Sequence, residues 1–396
     1  MLPAEWEPHQ AMMVSFNDND PFADSVSVEI VKAISPVMKV YCVIMSDSMI
    51  PYYSNWFLKE GITKDSIHFM NFGSSFSYSI RDPLFFLKNT NGGMAIADFA
   101  WNDYGYIPFD SARKNTFYEQ SAKDRNGYQN NFSKLFNYPL LSSNMVNEGG
   151  AIEVNGKGTL IQVEAVNRQR NPGMSLSQQE LELKRILGVT NIIWLKEGVA
   201  DDPDGRTLII KNYFGIGVNG HVDEFCRFVN TNTLFLSFPD STEAQKDPVT
   251  KMTYDRMERN FNILKQSVDQ DGESFNIIKI PVPDFSTVTY VLDSSSADPD
   301  VKHFSNSVKK YAQFKKGDSV YFVPSRSYLN YLVTNKMVLI PKYWKPGLPG
   351  STRQKDEQVK ALFATYFPER KIIQINPTGL NLLGGGIHCW TQQIPQ

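Results

Sequence analysis

Four times along the chain a polar residue heads a short apolar strand, a turn rich in Asn or Gly follows, and a second apolar strand runs back. Short apolar runs on either side of such a turn mark a β-hairpin. Recurrence of one unit marks a repeat architecture, in which each copy buries its apolar face against its neighbours. The first copy starts at Asp82, turns at Asn89-Thr90-Asn91-Gly92-Gly93 and returns over 94–99. The second starts at Glu148-Gly149-Gly150, turns at Asn155-Gly156-Lys157-Gly158 and returns over 159–164. The third starts at His221-Val222-Asp223 and turns at Asn230-Thr231-Asn232; the fourth holds Asn330 and turns at Thr334-Asn335-Lys336. Near the end, Gly384-Gly385-Gly386-Ile387-His388-Cys389 echoes the Glu148 copy and places Cys389 in the corresponding strand.

Helix signals separate the hairpins. Ser175 caps an apolar stripe that stops at Gly188, 356–366 carries a similar stripe ahead of a strand at 371–375, and 26–34 precedes a strand at 37–45 with Pro36 as the break. Each unit therefore reads as ββαβ, and packing of equivalent units around a pseudo-rotation axis predicts one domain over residues 1–396 in the α/β class. The segments 123–133, 200–205 and 294–300 read as polar insertions, and no low-complexity linker interrupts the chain. Hydrophobic residues at 41% and aromatics at 13% supply enough apolar surface to bury such units.

A formal charge of −2 leaves no broad basic field for nucleic acid or an anionic membrane, which favours a small ligand. The sequence has no run of eighteen apolar residues and no basic, apolar leader, so a cytoplasmic location is expected. The three cysteines lack the paired spacing of a metal site or a disulfide framework. Cys42 and Cys226 sit in apolar strands and read as inert thiols.

Cys389 differs, because the glycines before it let backbone approach a ligand closely and present one side chain to a cavity. A thiol there can act as a nucleophile if a neighbouring cation or donor favours the thiolate. His221 and Asp223 lie two apart, on one face of an expected strand, which suits an imidazole acid/base beside a carboxylate. His388 should face away from Cys389 and reads as structural. Asp82 and Glu148 head apolar strands, where an unpaired carboxylate is costly to bury. Arg81 can neutralise Asp82 internally; alternatively, converging carboxylates can hold the planar donor fork of a guanidinium.

These residues, together with Pro3-Ala4-Glu5-Trp6-Glu7-Pro8-His9, Arg170-Asn171-Pro172, Gly220-His221-Val222-Asp223-Glu224 and Gly385-Gly386-Ile387-His388-Cys389-x-Thr391-Gln392-Gln393, run through nearly the whole chain. In that order they resemble the agmatine deiminase family and, more remotely, bacterial peptidylarginine deiminases. The resemblance implies a five-bladed, pseudo-fivefold α/β propeller. It implies Cys389 as nucleophile, His221 as general acid/base, and Asp82, Glu148 and Asp223 as guanidinium ligands. Asn330, Trp6 and Gly386 would line the substrate site.

The implied reaction converts agmatine to N-carbamoylputrescine and ammonia through a covalent thiouronium on Cys389, with no metal or organic cofactor. A small guanidino substrate is thus the expected partner, and a homodimer is compatible. The chain departs from the family pattern at Pro83-Leu84-Phe85, at 12–16 and at Trp390. The alternatives carried forward are deimination of peptidyl or free arginine, amidine transfer to an amine, and a non-enzymatic guanidine- or polyamine-binding module.

Overall fold

The structure, a computed structural model, describes residues 1–396 except 19, 72–78, 90, 107–126 and 309. Five of its mixed sheets repeat one connection, an antiparallel hairpin whose second strand is joined in parallel by a third. Phe85–Lys88 and Met94–Ala100 pair with Leu140–Val146. Ile152–Val154 and Thr159–Val163 pair with Asn191–Leu195. Cys226–Phe228 and Thr233–Ser237 pair with Asn276–Ile280, and Leu332–Val333 and Met337–Pro341 with Lys371–Ile375. The fifth hairpin joins distant parts of the sequence: Thr391–Pro395 runs antiparallel to His9–Ser15, which is parallel to Lys39–Ile44. A parallel third strand requires a crossover, and in every unit a helix supplies it.

Those helices follow their local signals. Ser175 and Gln178 form a reciprocal capping box at the start of Leu176–Leu187, and Gly188 ends it at φ 71°, where a side chain would be strained. Pro21–Ile34 begins five residues before the expected 26, because Asp20 accepts from the amides of Phe22 and Ala23 and Pro21 occupies the first turn. Gly350–Tyr366 likewise begins before the expected 356. Its added turns are mostly polar and outward, so they carry no apolar stripe, though Thr352 is buried against Asp284.

The Pro21–Ile34 helix shows how a unit is held. Val26, Ile30, Val31 and Ile34 close over Met12, Val14, Cys42 and Ile44 of the sheet beneath, all buried. Burial of each such side chain stabilises by about 1.5–3 kcal/mol before chain entropy is set against it.

Two features depart from the sequence expectation. A sixth sheet, ordered Thr207–Ile210, Tyr213–Gly215, Ser319–Phe322, Val288–Val291, flanks the third unit and has its own core around Phe214, Phe304 and Phe322. Of the expected insertion at 123–133, residues 123–126 lie outside the described residues, and Tyr128–Phe136 is a helix that buries Phe132. Among the described residues no helix is long and apolar enough to cross a membrane.

Candidate active site

The polar heads of the repeated units converge, but on turns rather than on strands. His221 precedes a one-turn helix at Val222–Glu224, Glu148 precedes another at Gly149–Ala151, and Cys389 lies in a turn before Thr391–Pro395. These turns lie outside the strand ladders, so side chains satisfy several of the amides there. Asp82 Oδ1 accepts from the Gly150 amide at 2.8 Å, and Asp202 accepts from the amides of Val218, Gly220 and His221 at 2.6–3.0 Å. Gly150 itself leaves the room: a Cβ there would lie 2.6 Å from His221 Nδ1 and 3.0 Å from Asp223 Oδ2.

These turns border about 460 Å³ of space, open to solvent, against Asp82, Tyr104, His221, Asp223, Glu224 and Cys389. Cys389 is half-buried; Cys42 and Cys226 are fully buried, as expected, and burial pushes both thiols up. The Cys389 Sγ lies 3.5 Å from Asp223 Oδ2 and 3.9 Å from Glu224 Oε1, and receives a hydrogen bond from Asn330 Nδ2 at 3.1 Å. Burial, then the charges of Asp223, Glu224 and Asp82, push this thiol well above its ordinary range. Asp223 Oδ1 is buried and has no hydrogen-bond partner among the described residues. Such an oxygen calls for a donor, and a cationic one best. Ligand atoms of Asp223, Glu224 and Cys389 lie within 4.8 Å of one another, a spacing that suits a compact cation.

His221 stands with Nε2 2.7 Å from Glu148 Oε2 and Nδ1 3.8 Å from Asp82 Oδ1. Burial would depress the imidazole, yet the Glu148 hydrogen bond and the charges of Asp82, Glu148 and Asp223 raise it to about 9. It therefore stays protonated at neutral pH. Burial likewise opposes ionisation of Glu148, but Arg170 and His221 hold its carboxyl at about 2.

Several expected placements change. Glu148 does not face the cavity: its oxygens are taken by Arg170 Nε at 2.6 Å and by His221 Nε2, behind the imidazole. Arg81 does not pair with Asp82; it bonds Glu5 at 3.0 Å and Gln393 at 2.6 Å. Trp6 packs into two apolar cores away from the thiol, because its neighbour Glu5 takes the inward direction. Gly386 faces Asn330, whose Oδ1 would lie 2.4 Å from a Cβ there, so its smallness serves the turn and not a ligand. Asn330 does contact the thiol and also donates to Glu224 at 2.8 Å. His388 does not simply face away from Cys389 as expected: its Nδ1 lies 2.7 Å from Asp223 Oδ2, the same oxygen the thiol approaches, and its Nε2 reaches Glu5.

Sequence reasoning missed Tyr104 and Glu224. Tyr104 donates to Asp82 Oδ2 at 2.7 Å from a left-handed run, Asp103 at φ 54°, Tyr104 at φ 57° and Gly105 at φ 85°. Such backbone is strained for non-glycine residues and clusters at functional sites. The turn-forming Asn102-Asp103-Tyr104-Gly105 was its only sequence signal. Glu224 follows Asp223 directly, and burial, then Asp223, Asp202 and Asp201, push its carboxyl well up. A second cavity of about 560 Å³ is lined by Glu5, Arg81 and Glu153, with no thiol among the described residues of its wall.

Known proteins resemble the chain over its whole length. An agmatine deiminase of Medicago truncatula is 27% identical over 417 residues, covering 100% of this chain and 96% of its own. One from Pseudomonas aeruginosa is 26% identical over 423 residues, covering 100% and 95%. The solved agmatine deiminase of Enterococcus faecalis superposes with a TM-score of 0.72 at 21% identity, covering 100% of this chain and 95% of that one, a likeness of fold alone. Residues 1–395 match the family described as Porphyromonas-type peptidyl-arginine deiminase, and the chain belongs to that family.

Proposed function

We propose that the protein hydrolyses agmatine to N-carbamoylputrescine and ammonia, with Cys389 as nucleophile. One observation carries the reading: the Cys389 sulfur opens onto a cavity in which the buried, unpartnered Asp223 Oδ1 awaits a cationic donor. A guanidinium bound there between Asp223 and Asp82 places its electron-poor carbon beside the sulfur. The five ββαβ units are proposed to form one pseudo-fivefold propeller domain around this site. The three unpaired cysteines suit a reducing, cytoplasmic setting.

The mechanism follows from charge. In the empty site the carboxylates keep the thiol protonated. The incoming cation offsets that negative field, so the sulfur releases its proton to solvent as substrate binds, and the thiolate adds to the guanidino carbon. Protonated His221 gives its proton to the departing amine, which leaves as ammonia. Water then adds to the thiouronium carbon and gives one proton to the now neutral His221; the carbon–sulfur bond breaks, the ureido product leaves, and the remaining hydroxyl proton returns to the sulfur. Glu148 steadies the imidazolium, Tyr104 orients Asp82, and Asn330 donates to the sulfur.

Agmatine is favoured over arginine by the rest of the cavity wall. Val218, Leu383 and Trp390 contribute apolar surface, and no Lys or Arg is among the described residues that line it. A substrate carboxylate would meet the field of Asp82 and Asp223 with no cationic side chain among the described lining residues to neutralise it. Steady-state ammonia release is expected to show kcat/KM for agmatine at least about 100-fold above that for arginine or an arginine-terminated peptide. Faster turnover of the peptide would overturn the choice of substrate.

A further inference from the structure

We propose that Glu5 and His388 are positioning residues for the guanidinium site, fixing Asp223 from behind so that its open oxygen is presented to the substrate. The inference rests on the deiminase reading of the same cavity and adds two residues that touch neither substrate nor sulfur.

The geometry is a chain of hydrogen bonds. His388 Nδ1 lies 2.7 Å from Asp223 Oδ2, and its Nε2 lies 2.6 Å from Glu5 Oε1. For both contacts to be hydrogen bonds, both ring nitrogens must donate, so the imidazole bridges two carboxylates. Glu5 is itself pinned by Arg81 Nη1 at 3.0 Å, Arg227 Nη2 at 2.5 Å and Gln393 Nε2 at 3.1 Å. A carboxylate held through one oxygen has its other oxygen's direction set, and Asp223 Oδ1 is the one left open.

The backbone couples this anchor to the nucleophile. The amides of His388 and Cys389 both donate to Asn330 Oδ1, at 2.8 Å and 3.3 Å, so imidazole and thiol leave one fixed turn in different directions. Both meet the same atom, Asp223 Oδ2. Misplacing the imidazole would thus move the guanidinium ligand relative to the sulfur, the kind of error that supporting residues exist to prevent. The electrostatics agree. Burial opposes the Asp223 charge, and the His388 hydrogen bond and charge, with His221 and Arg227, hold its carboxyl below the ordinary range. Glu5 is held well below its own range by Arg227, His388 and Arg81 against the same burial.

The test uses the full chain and guanidinium ion alone as probe. At a pH alkaline enough to ionise the thiol without a bound cation, iodoacetamide alkylates Cys389 selectively, since Cys42 and Cys226 are buried, and guanidinium at non-denaturing concentrations, seated between the carboxylates and over the sulfur, should protect it by blocking the reagent's approach. Glu5→Gln is expected to raise the half-protecting concentration about tenfold and His388→Gln more, with Glu5→Asp recovering part of the loss. A purely structural role would lower the melting temperature and leave protection unmoved. Half-protecting concentrations within about twofold of wild type in a folded Glu5→Gln protein would overturn the proposal, as would failure of guanidinium to protect the wild type. If the wild type is protected but turns over no guanidino compound, the deiminase reading fails while the variants still decide the positioning role.

Discussion

Replacing Cys389 with Ala abolishes ammonia release from agmatine, lowering kcat by at least about four orders of magnitude. In the proposed mechanism nothing else in the cavity can form the covalent intermediate: Asp82, Asp223 and Glu224 are poor nucleophiles toward a resonance-stabilised cation, and His221 holds its proton. The fold should survive, because the lost sulfur is half-buried and its partners retain one another. Asn330 keeps its bond to Glu224, and Asp223 keeps His388. Binding of agmatine should persist in this variant, since the carboxylates remain. Calorimetric titration alongside the ammonia assay checks both halves of the expectation.

Glu148→Ala should damage stability and activity together. It leaves the buried Arg170 guanidinium and the buried His221 imidazolium without their shared carboxylate. Removing one partner from a buried ion pair costs about 3–5 kcal/mol, which urea unfolding would read directly. The imidazole then loses the hydrogen bond that most offsets the cost of its burial, so its protonated form is disfavoured and it protonates the leaving amine less well. A fall in kcat of about 100- to 1000-fold follows.

The pH dependence has a definite sign. His221 titrates near 9 in the folded protein against 6.5 when free, so its contribution to stability is fully present below 6.5 and is lost as pH rises through about 9. The wild-type melting temperature should carry that decline between these values, and Glu148→Ala should flatten it.

How far the sequence revealed all this depended on the kind of interaction. The hairpins were legible because Asn-Gly turns and short apolar strands are local features, as in 152–163 and 85–100. The fifth hairpin was legible only as an echo, since its partner strands lie at opposite ends of the numbering. The sixth sheet was not, because its strands are short and the parallel pair that ties it together, Tyr213–Gly215 with Ser319–Phe322, lies far apart in the chain.

In the site, residue type exposed the thiol, the imidazole and the carboxylates. Direction was hidden. Glu148 and Asp223 look alike in sequence, yet one is saturated by Arg170 and His221 and the other keeps an oxygen open. Spacing also gave a right neighbourhood for a wrong reason: His221 and Asp223 share the cavity through a helical turn, not through strand alternation.

The covalent role of Cys389 is tested most directly by quenching wild-type turnover of agmatine in acid and mapping the peptides by mass spectrometry. The account predicts an adduct with the mass of agmatine less ammonia, carried by the peptide that contains Cys389. An adduct on any other side chain, or undiminished turnover by protein whose Cys389 was alkylated beforehand, would contradict it.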